Sequence, residues 1–269
     1  MTKYLSLFLI LVFMSGCVGT QIKAPPDNIN KIQRIAVVPL EPPPIEIPPF
    51  VSSASWFRTS AVMATIPHES IQGAGRVGAM VFGIFMLMEL PEEAKRSAKV
   101  ADSLETMLDS GEAWIPTIVF AQEAAKQITA QGKHDVAVIQ NVQKFRELVN
   151  RERTWHLENW YAPIRSWYNQ KESLFDYGLL RNQGCDAVLE VGIINYTYIE
   201  TYIGLQVMVR LIDLETDQLL GRSRAYDVPY IGNGEPLLAN NGQRFKDLFG
   251  ALGAQLVNEN LKSIGLIPK

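Results

Sequence analysis

The sequence predicts an α/β fold, with a mixed sheet of about five strands that ends in an antiparallel C-terminal meander and is packed by helices. Two β-branched apolar runs, at 34–40 and 135–139, are separated by helical patterns, an order typical of a parallel strand pair. The last third instead carries three closely spaced strand patterns between 187 and 226. With 269 residues, 47% of them hydrophobic, the chain can bury a sizeable core.

Residues 1–16 have the layout of a secretory signal peptide. Lys3 precedes an apolar run from Tyr4 to Met14, which is shorter than the roughly 20 residues needed to span a bilayer. Met14, Ser15, Gly16 and Cys17 then resemble the lipobox of bacterial lipoproteins. The resemblance implies cleavage before Cys17, a diacylglyceryl thioether on its sulfur and usually a third acyl chain on its amine. An ordinary signal peptide or an uncleaved anchor is the alternative.

The residue after Cys17 favours the outer membrane, with the domain facing the periplasm. That residue is Val18, whereas the resemblance to lipoproteins implies Asp at this position in a lipoprotein that is retained at the inner membrane. Anchoring at the inner membrane and exposure on the cell surface stay open as alternatives. The stretch 17–31 is polar and rich in turn residues, which predicts a lipidated N-terminus and flexible tether of about 45 Å when extended. Residues 32–269 are predicted to form one α/β domain.

The first predicted strand, 34–40, is followed by a segment whose composition is unusual for a helix or an inner strand. A Pro/Gly-rich apolar insertion is predicted at 41–90, and its prolines exclude an inner strand over 41–50. The uncharged run 77–88 is too short for a conventional membrane-spanning helix. It suits a buried helix or a loop over the domain's own core, or else a contact with a membrane or a neighbouring subunit. Its candidate contact residues are Val77, Val81, Phe82 and Phe85.

Helical spacing continues through the middle of the chain. It predicts helices over 91–110 and 117–131, the second strand at 135–139, and a further helical segment from about Val142 that Pro163 should kink or break. Three tryptophans lie between 155 and 167. Core packing explains their spacing, and a stacking surface for a sugar or a partner is the alternative, with Trp160 and Trp167 as the candidate contacts.

The C-terminal third predicts a short helix at 174–180, three strands and a closing helix. The strands are 187–194, 205–212 and 219–226, with a polar, Asp-rich turn between the last two. Alternation in the middle strand predicts an antiparallel sheet with one solvated face. The closing helix is marked by apolar residues from Phe245 to Ile264.

Three of these stretches together resemble a known family. They are Ile35–Pro39, the run from Gly184 to Gly192, and the hairpin from Val207 to Leu220. The ensemble resembles the periplasmic α/β lipoprotein domains of the curli-secretion-channel, penicillin-binding-protein-activator and TolB N-terminal group. Asp217 stands where the hairpin motif usually has Gly, a replacement that Asp tolerates in left-handed backbone. The resemblance implies a non-catalytic role in the cell envelope that works through protein contacts.

Motifs for metal or cofactor chemistry are not found, so no catalytic, cofactor-binding or metal-ligating residues are predicted. The histidines at 68, 134 and 156 lack metal-ligand spacing, and the Gly-x-Gly-x-x-Gly at 73–78 follows no strand. Glu190, Glu200 and Asp213 lack a defined pairing and are interpreted as solvated faces and turns. Cys185 is interpreted as a small buried residue. A net charge of −3 without basic blocks gives no support for nucleic-acid binding.

The function predicted is that of a non-enzymatic, membrane-attached lipoprotein of the cell envelope, an assembly, secretion or cell-wall accessory factor that binds other envelope proteins. One alternative is an oligomeric outer-membrane export-channel component that uses 51–90 as its membrane-inserted or subunit-contacting element, so a homo-oligomer is a candidate assembly. The other alternative is an envelope enzyme acting on peptidoglycan or sugar through the aromatic cluster at 155–168.

Overall fold

The computed structural model describes residues 20–43, 114–145, 158–199, 202–231 and 239–269; for 158–162, 199 and 239–241 only the backbone is described. The chain divides into two compact units. The first comprises Met1–Thr20 and Phe50–Lys95, and of it only Thr20 is described. The second, Gln21–Pro49 and Arg96–Lys269, contains everything else reported below. The predicted signal peptide, the insertion from residue 44 onward and the helix at 91–110 lie outside the described residues.

The described residues form a five-stranded mixed sheet in the order β2-β1-β3-β4-β5. Its strands are β1 (Arg34–Pro39), β2 (Asp135–Val138), β3 (Ala187–Ile199), β4 (Tyr202–Asp213) and β5 (Leu219–Asp227). β1 pairs in parallel with both β2 and β3, whereas β3, β4 and β5 are antiparallel. The predicted α/β fold with its C-terminal meander is therefore confirmed.

Helices cover both faces of this sheet. They are α1 (Pro26–Lys31), α2 (Pro116–Thr129), α3 (Glu158–Asn169), α4 (Gly178–Asn182) and α5 (Ala239–Ile264). α2 and α5 build the larger core with the sheet face that carries Leu189 and Val209. Close packing of these two helices requires Gly253, because a Cβ there would lie 1.8 Å from the Phe120 ring. Among the described residues no helix is both long enough and apolar enough to span a bilayer.

The prediction of one solvated sheet face is wrong. Met208 and Arg210, which point away from the larger core, are 1% and 0% exposed. α3 lays Ile164 and Trp167 over this second face, where they form a smaller core with Val188 and Met208. Alternation in β4 was a poor guide because a polar side chain can be buried wherever the structure supplies it with partners.

Two local predictions also differ from the structure. Pro163 does not break the helix: it lies inside α3, which continues to Asn169, since the burial of Ile164 and Trp167 stabilises the turn that follows the proline. Residues 142–145 are not helical: Gln143 instead forms a parallel bridge with Leu40. The Gln143 amide donates to Pro39 O at 2.9 Å and its carbonyl accepts from the Glu41 amide at 2.9 Å. The pairing begun by β1 and β2 is thus resumed beyond both strands.

Candidate functional site

Most of the contact residues predicted from the sequence lie where the structure gives no side-chain description. Cys17, Val77, Val81, Phe82 and Phe85 are outside the described residues, and of Trp160 only the backbone is described. Trp167 is described and is 0% exposed. The alternative of a partner contact at Trp167 is corrected accordingly: this ring is part of the core, as its helical spacing favours.

A dense group of polar side chains lies beneath α3 and is called here the polar network: Trp167, Ser173, Tyr177, Glu190 and Arg210. Glu190 on β3 is its centre. Its Oε2 accepts from Trp167 Nε1 at 2.7 Å and from Arg210 Nη1 at 3.1 Å, and its Oε1 accepts from Ser173 Oγ at 3.1 Å and Tyr177 Oη at 2.9 Å. Four donors therefore surround one carboxylate.

Arg210 is held as closely as Glu190. Its Nη2 donates to the carbonyl oxygens of Gln170 at 3.1 Å and Glu172 at 2.8 Å, and the guanidinium carbon lies 5.5 Å from the Trp167 ring centroid. The side chains of Arg210 and Glu190 are both 0% exposed. A buried ion pair is tolerated when hydrogen bonds satisfy the polar atoms that the ion pair itself leaves unpaired. Most polar atoms of Glu190 and Arg210 have such hydrogen bonds. The loop that follows α3 is thereby fastened to the centre of the sheet.

Burial also determines the protonation of the phenol in the network. Desolvation, and then the neighbouring Glu190 carboxylate, raise the pKa of Tyr177 well above its ordinary value. Tyr177 therefore stays a neutral donor to Glu190 at physiological pH. For Arg210, desolvation lowers the pKa and Glu190 opposes that effect, so the guanidinium keeps its charge beside its partner.

The interpretation of Glu190 as a solvated residue is wrong. A signal for the network was present in the sequence, because Glu190 and Arg210 each interrupt an apolar strand with a charge of opposite sign. The two residues are directly paired in the β3–β4 register, and Arg210 is in turn paired with Arg222 on β5. Arg222 Nη1 donates to Tyr168 O at 2.8 Å, which extends the polar contacts to the end of α3. Only the register shows that these charges lie side by side.

Two aspartates of the motifs that carry the family resemblance accept hydrogen bonds from backbone amides. Asp186 Oδ2 accepts from the amides of Gln33 at 2.7 Å and Arg34 at 2.9 Å, which joins the start of β1 to the start of β3. Asp213 Oδ1 accepts from the amides of Glu215 at 2.8 Å and Thr216 at 2.9 Å within the β4–β5 turn. Asp213 is thus a turn residue, as predicted, and these aspartates have structural roles.

Two further expectations about single residues are confirmed. Asp217 has a φ of 56°, the left-handed geometry expected where the motif usually has Gly. Cys185 is a free thiol that is 6% exposed. Burial raises its pKa, so the fraction of reactive thiolate is small.

The structure contradicts most of the flexible tether that was predicted at 17–31. Ile22 and Arg222 exchange two backbone hydrogen bonds of 2.9 Å, and the Ala24 amide donates to Ile264 O at 3.1 Å. α1 follows at once, and Ala24 and Ile29 are 1% and 7% exposed. Residues 21–31 are therefore part of the folded domain, because their apolar side chains complete its larger core.

Gly221 on β5 makes room for this N-terminal segment. A Cβ at Gly221 would lie 3.1 Å from Ala24 N and 3.2 Å from Ile22 O, both backbone atoms. The segment therefore rests directly on the backbone of the edge strand. Within the described part of the chain no group of three or more His, Cys, Asp or Glu side chains could hold a metal ion.

Comparison with known proteins gives structural likenesses only. No family model and no curated protein matches the chain. Among solved structures, a PelC dodecamer from Paraburkholderia phytofirmans has 10% identity and a TM-score of 0.39, with 91% of this chain and 95% of that chain covered. Protein XCC0632 from Xanthomonas campestris, of family model DUF330, has 8% identity, a TM-score of 0.30, and coverage of 56% and 63%.

A further match is lipoprotein GNA1162 from Neisseria meningitidis, with 18% identity, a TM-score of 0.26, and coverage of 51% of this chain and 82% of that chain. The matched structures thus include a lipoprotein and a dodecameric protein.

Proposed function

We propose that this protein is a bacterial envelope lipoprotein, anchored by lipid on Cys17 at the outer membrane and facing the periplasm, that acts through protein contacts and not by catalysis. The observation that carries the proposal is Met14-Ser15-Gly16-Cys17 directly after a short apolar run with one preceding Lys. Diacylation at Cys17 would hold the protein stably, since two acyl chains suffice where one is marginal.

The polar network supports a structural role for the carboxylate and the aromatic rings that would otherwise suggest catalysis. Glu190 is fully buried and accepts from four donors, so it has neither a free oxygen nor a path to substrate. Trp167 and Tyr168, two members of the aromatic cluster on which the sugar-acting alternative depended, are 0% and 4% exposed. Neither ring offers a stacking face to a sugar.

Metabolic labelling with palmitate tests the anchor. The wild-type chain is expected to take up label, and Cys17→Ala is expected to abolish it and to leave an unprocessed precursor. Cys185→Ala is the matched control, because it removes the other cysteine of the chain and is expected to leave labelling unchanged. Label that persists in Cys17→Ala would refute the proposal. Density separation of the two membranes then tests residence in the outer membrane.

Contact with other envelope proteins needs a separate experiment. Cross-linking in intact cells followed by purification of the lipidated protein is expected to recover defined partners, or further copies of this chain if it is a homo-oligomer. Light scattering of the detergent-extracted protein distinguishes these two results. Robust hydrolysis of peptidoglycan by the purified protein, with no cross-linked partner, would contradict the non-enzymatic role.

A further inference from the structure

We propose that one end of the domain lies against the phospholipid headgroups of the leaflet that carries the lipid on Cys17. This surface, called the anchor end, is formed by Gln21, Lys23, Lys262, Ser263 and Gly265. The inference rests on the proposed lipidation of Cys17. It adds an orientation at the membrane and a lipid-facing surface to that function.

The length of chain between the lipid and the folded domain carries the argument. Gln21 lies four residues after Cys17, and even when fully extended these four residue steps span at most about 14 Å. A headgroup layer is about 5–8 Å thick on each side of the hydrocarbon core. The chain can therefore cross the headgroups with little to spare, whereas a flexible tether up to residue 31 would have reached about 45 Å.

The first fixed residues are held to the domain by several independent contacts. Gln21 Nε2 donates to Ser263 O at 3.2 Å, Ile22 pairs with Arg222, and Ala24 N donates to Ile264 O. Ala24 is 1% exposed and packs against the larger core. Releasing the segment would expose buried apolar surface and leave these backbone groups without partners, so the short connection is expected to persist.

The anchor end has a composition that headgroups accept. Lys23 extends along Gly265, where a built Cβ would lie 3.2 Å from its Cε, and Lys23 is exposed. Lys262 is the basic residue in the last turn of α5. Their ammonium groups suit phosphate oxygens, but exposed carboxylates accompany them: Asp27 lies four residues after Lys23, and Glu259 lies one turn before Lys262 in α5. Because these charges offset one another, the short connection, and not charge, is expected to hold the surface in place.

Fluorescence quenching in proteoliposomes tests the orientation. The full lipidated chain, in a Cys185→Ala background, would carry a fluorophore on Lys262→Cys at the anchor end, or on Gln243→Cys near the other end of the same helix. The two positions are about 28 Å apart along α5. With headgroup spin-labelled lipid in phosphatidylethanolamine and phosphatidylglycerol vesicles, we expect about twofold or greater loss of fluorescence at residue 262 relative to 243. This difference should persist in high salt. Equal or reversed quenching would overturn the proposal.

A spacer variant tests the role of the short connection. Insertion of about 20 Gly and Ser residues between Val18 and Gly19 adds a mean reach of about 25 Å and is expected to reduce quenching at residue 262 to the level at 243. Unchanged quenching would overturn the role of chain length. Palmitate uptake is measured on every sample: a chain without label contradicts the proposed lipoprotein, whereas a labelled chain with equal quenching contradicts only the orientation.

Discussion

Removal of the guanidinium in Arg210→Met should strongly destabilise the domain. The substitution leaves the Glu190 carboxylate buried with its charge uncompensated and frees the carbonyl oxygens of Gln170 and Glu172. Breaking a fully buried ion pair in this way costs about 3–5 kcal/mol. Since domains of ordinary stability unfold with about 5–15 kcal/mol, this is a large part of the total.

Urea unfolding followed by tryptophan fluorescence and far-UV circular dichroism measures this loss in a chain that begins at Val18 and therefore carries neither the predicted signal peptide nor lipid. Arg224→Met is the matched control, because Arg224 is an exposed arginine on neighbouring β5 and its loss should cost less than about 0.5 kcal/mol.

The cycle is completed by Glu190→Gln and the double variant. In the double variant no unpaired charge remains, so its cost should be smaller than the sum of the two single costs by about 1–3 kcal/mol. If Arg210→Met costs no more than Arg224→Met, or if the two single costs simply add, the pair does not stabilise the domain as argued here.

Three further perturbations follow from the packing and the electrostatics. Gly253→Ala should cost about 1–3 kcal/mol in thermal unfolding, because its Cβ would overlap Phe120; Gly250→Ala in the same helix should be tolerated, since its Cβ would lie 3.8 Å from Val119. Gly221→Val should raise amide hydrogen exchange at Ile22 and Ala24 while the amides of β3 stay protected, and unchanged exchange at residues 22–24 would contradict the packing described. Burial raises the pKa of Tyr177 and Tyr196, and burial with Asp227 raises the pKa of Tyr226 to about 12. The stabilisation from these neutral phenols is complete below a pH of about 10 and is lost progressively as the pH rises from about 10 through their raised pKa values. The part of the tyrosinate absorbance that disappears when Tyr177, Tyr196 and Tyr226 are replaced by Phe should therefore rise together with the loss of circular dichroism. Ionisation of these three phenols at a pH of about 10 in the folded protein would contradict this expectation.

Local patterns in the sequence determined most of the architecture. β-branched apolar runs predicted four of the five strands of the described sheet, because such side chains favour the pleated and buried surface of a sheet. The fifth, at 219–226, has no β-branched residue and was predicted as the last strand of the meander. Helical spacing with a following Gly predicted the helix observed as Pro116–Thr129, and the Asp-rich turn predicted the hairpin in which Asp217 adopts left-handed backbone. Boundaries were less accurate: β3 extends to Ile199, beyond the predicted end at residue 194.

The positions of polar residues were decided by tertiary structure. Glu190 and Arg210 are far apart in the chain and resemble solvated residues one strand at a time; the register of β3 with β4 pairs them, and α3 then covers them. Residues 21–31 lack periodicity, so a tether was a reasonable prediction. Their fixed position comes from β5 and the end of α5, whose groups are brought together only by folding.

The sequence by itself therefore determined the α/β class, the strand patterns and the lipobox resemblance at Cys17, all of which depend on residues close together in the chain. Tertiary structure alone decided which face of the sheet is buried, how Glu190 is satisfied, and that Gln21, four residues after Cys17, is held to the domain. The physical reason is that burial, ion pairing and edge-strand hydrogen bonding join groups from distant parts of the chain, which no local pattern specifies.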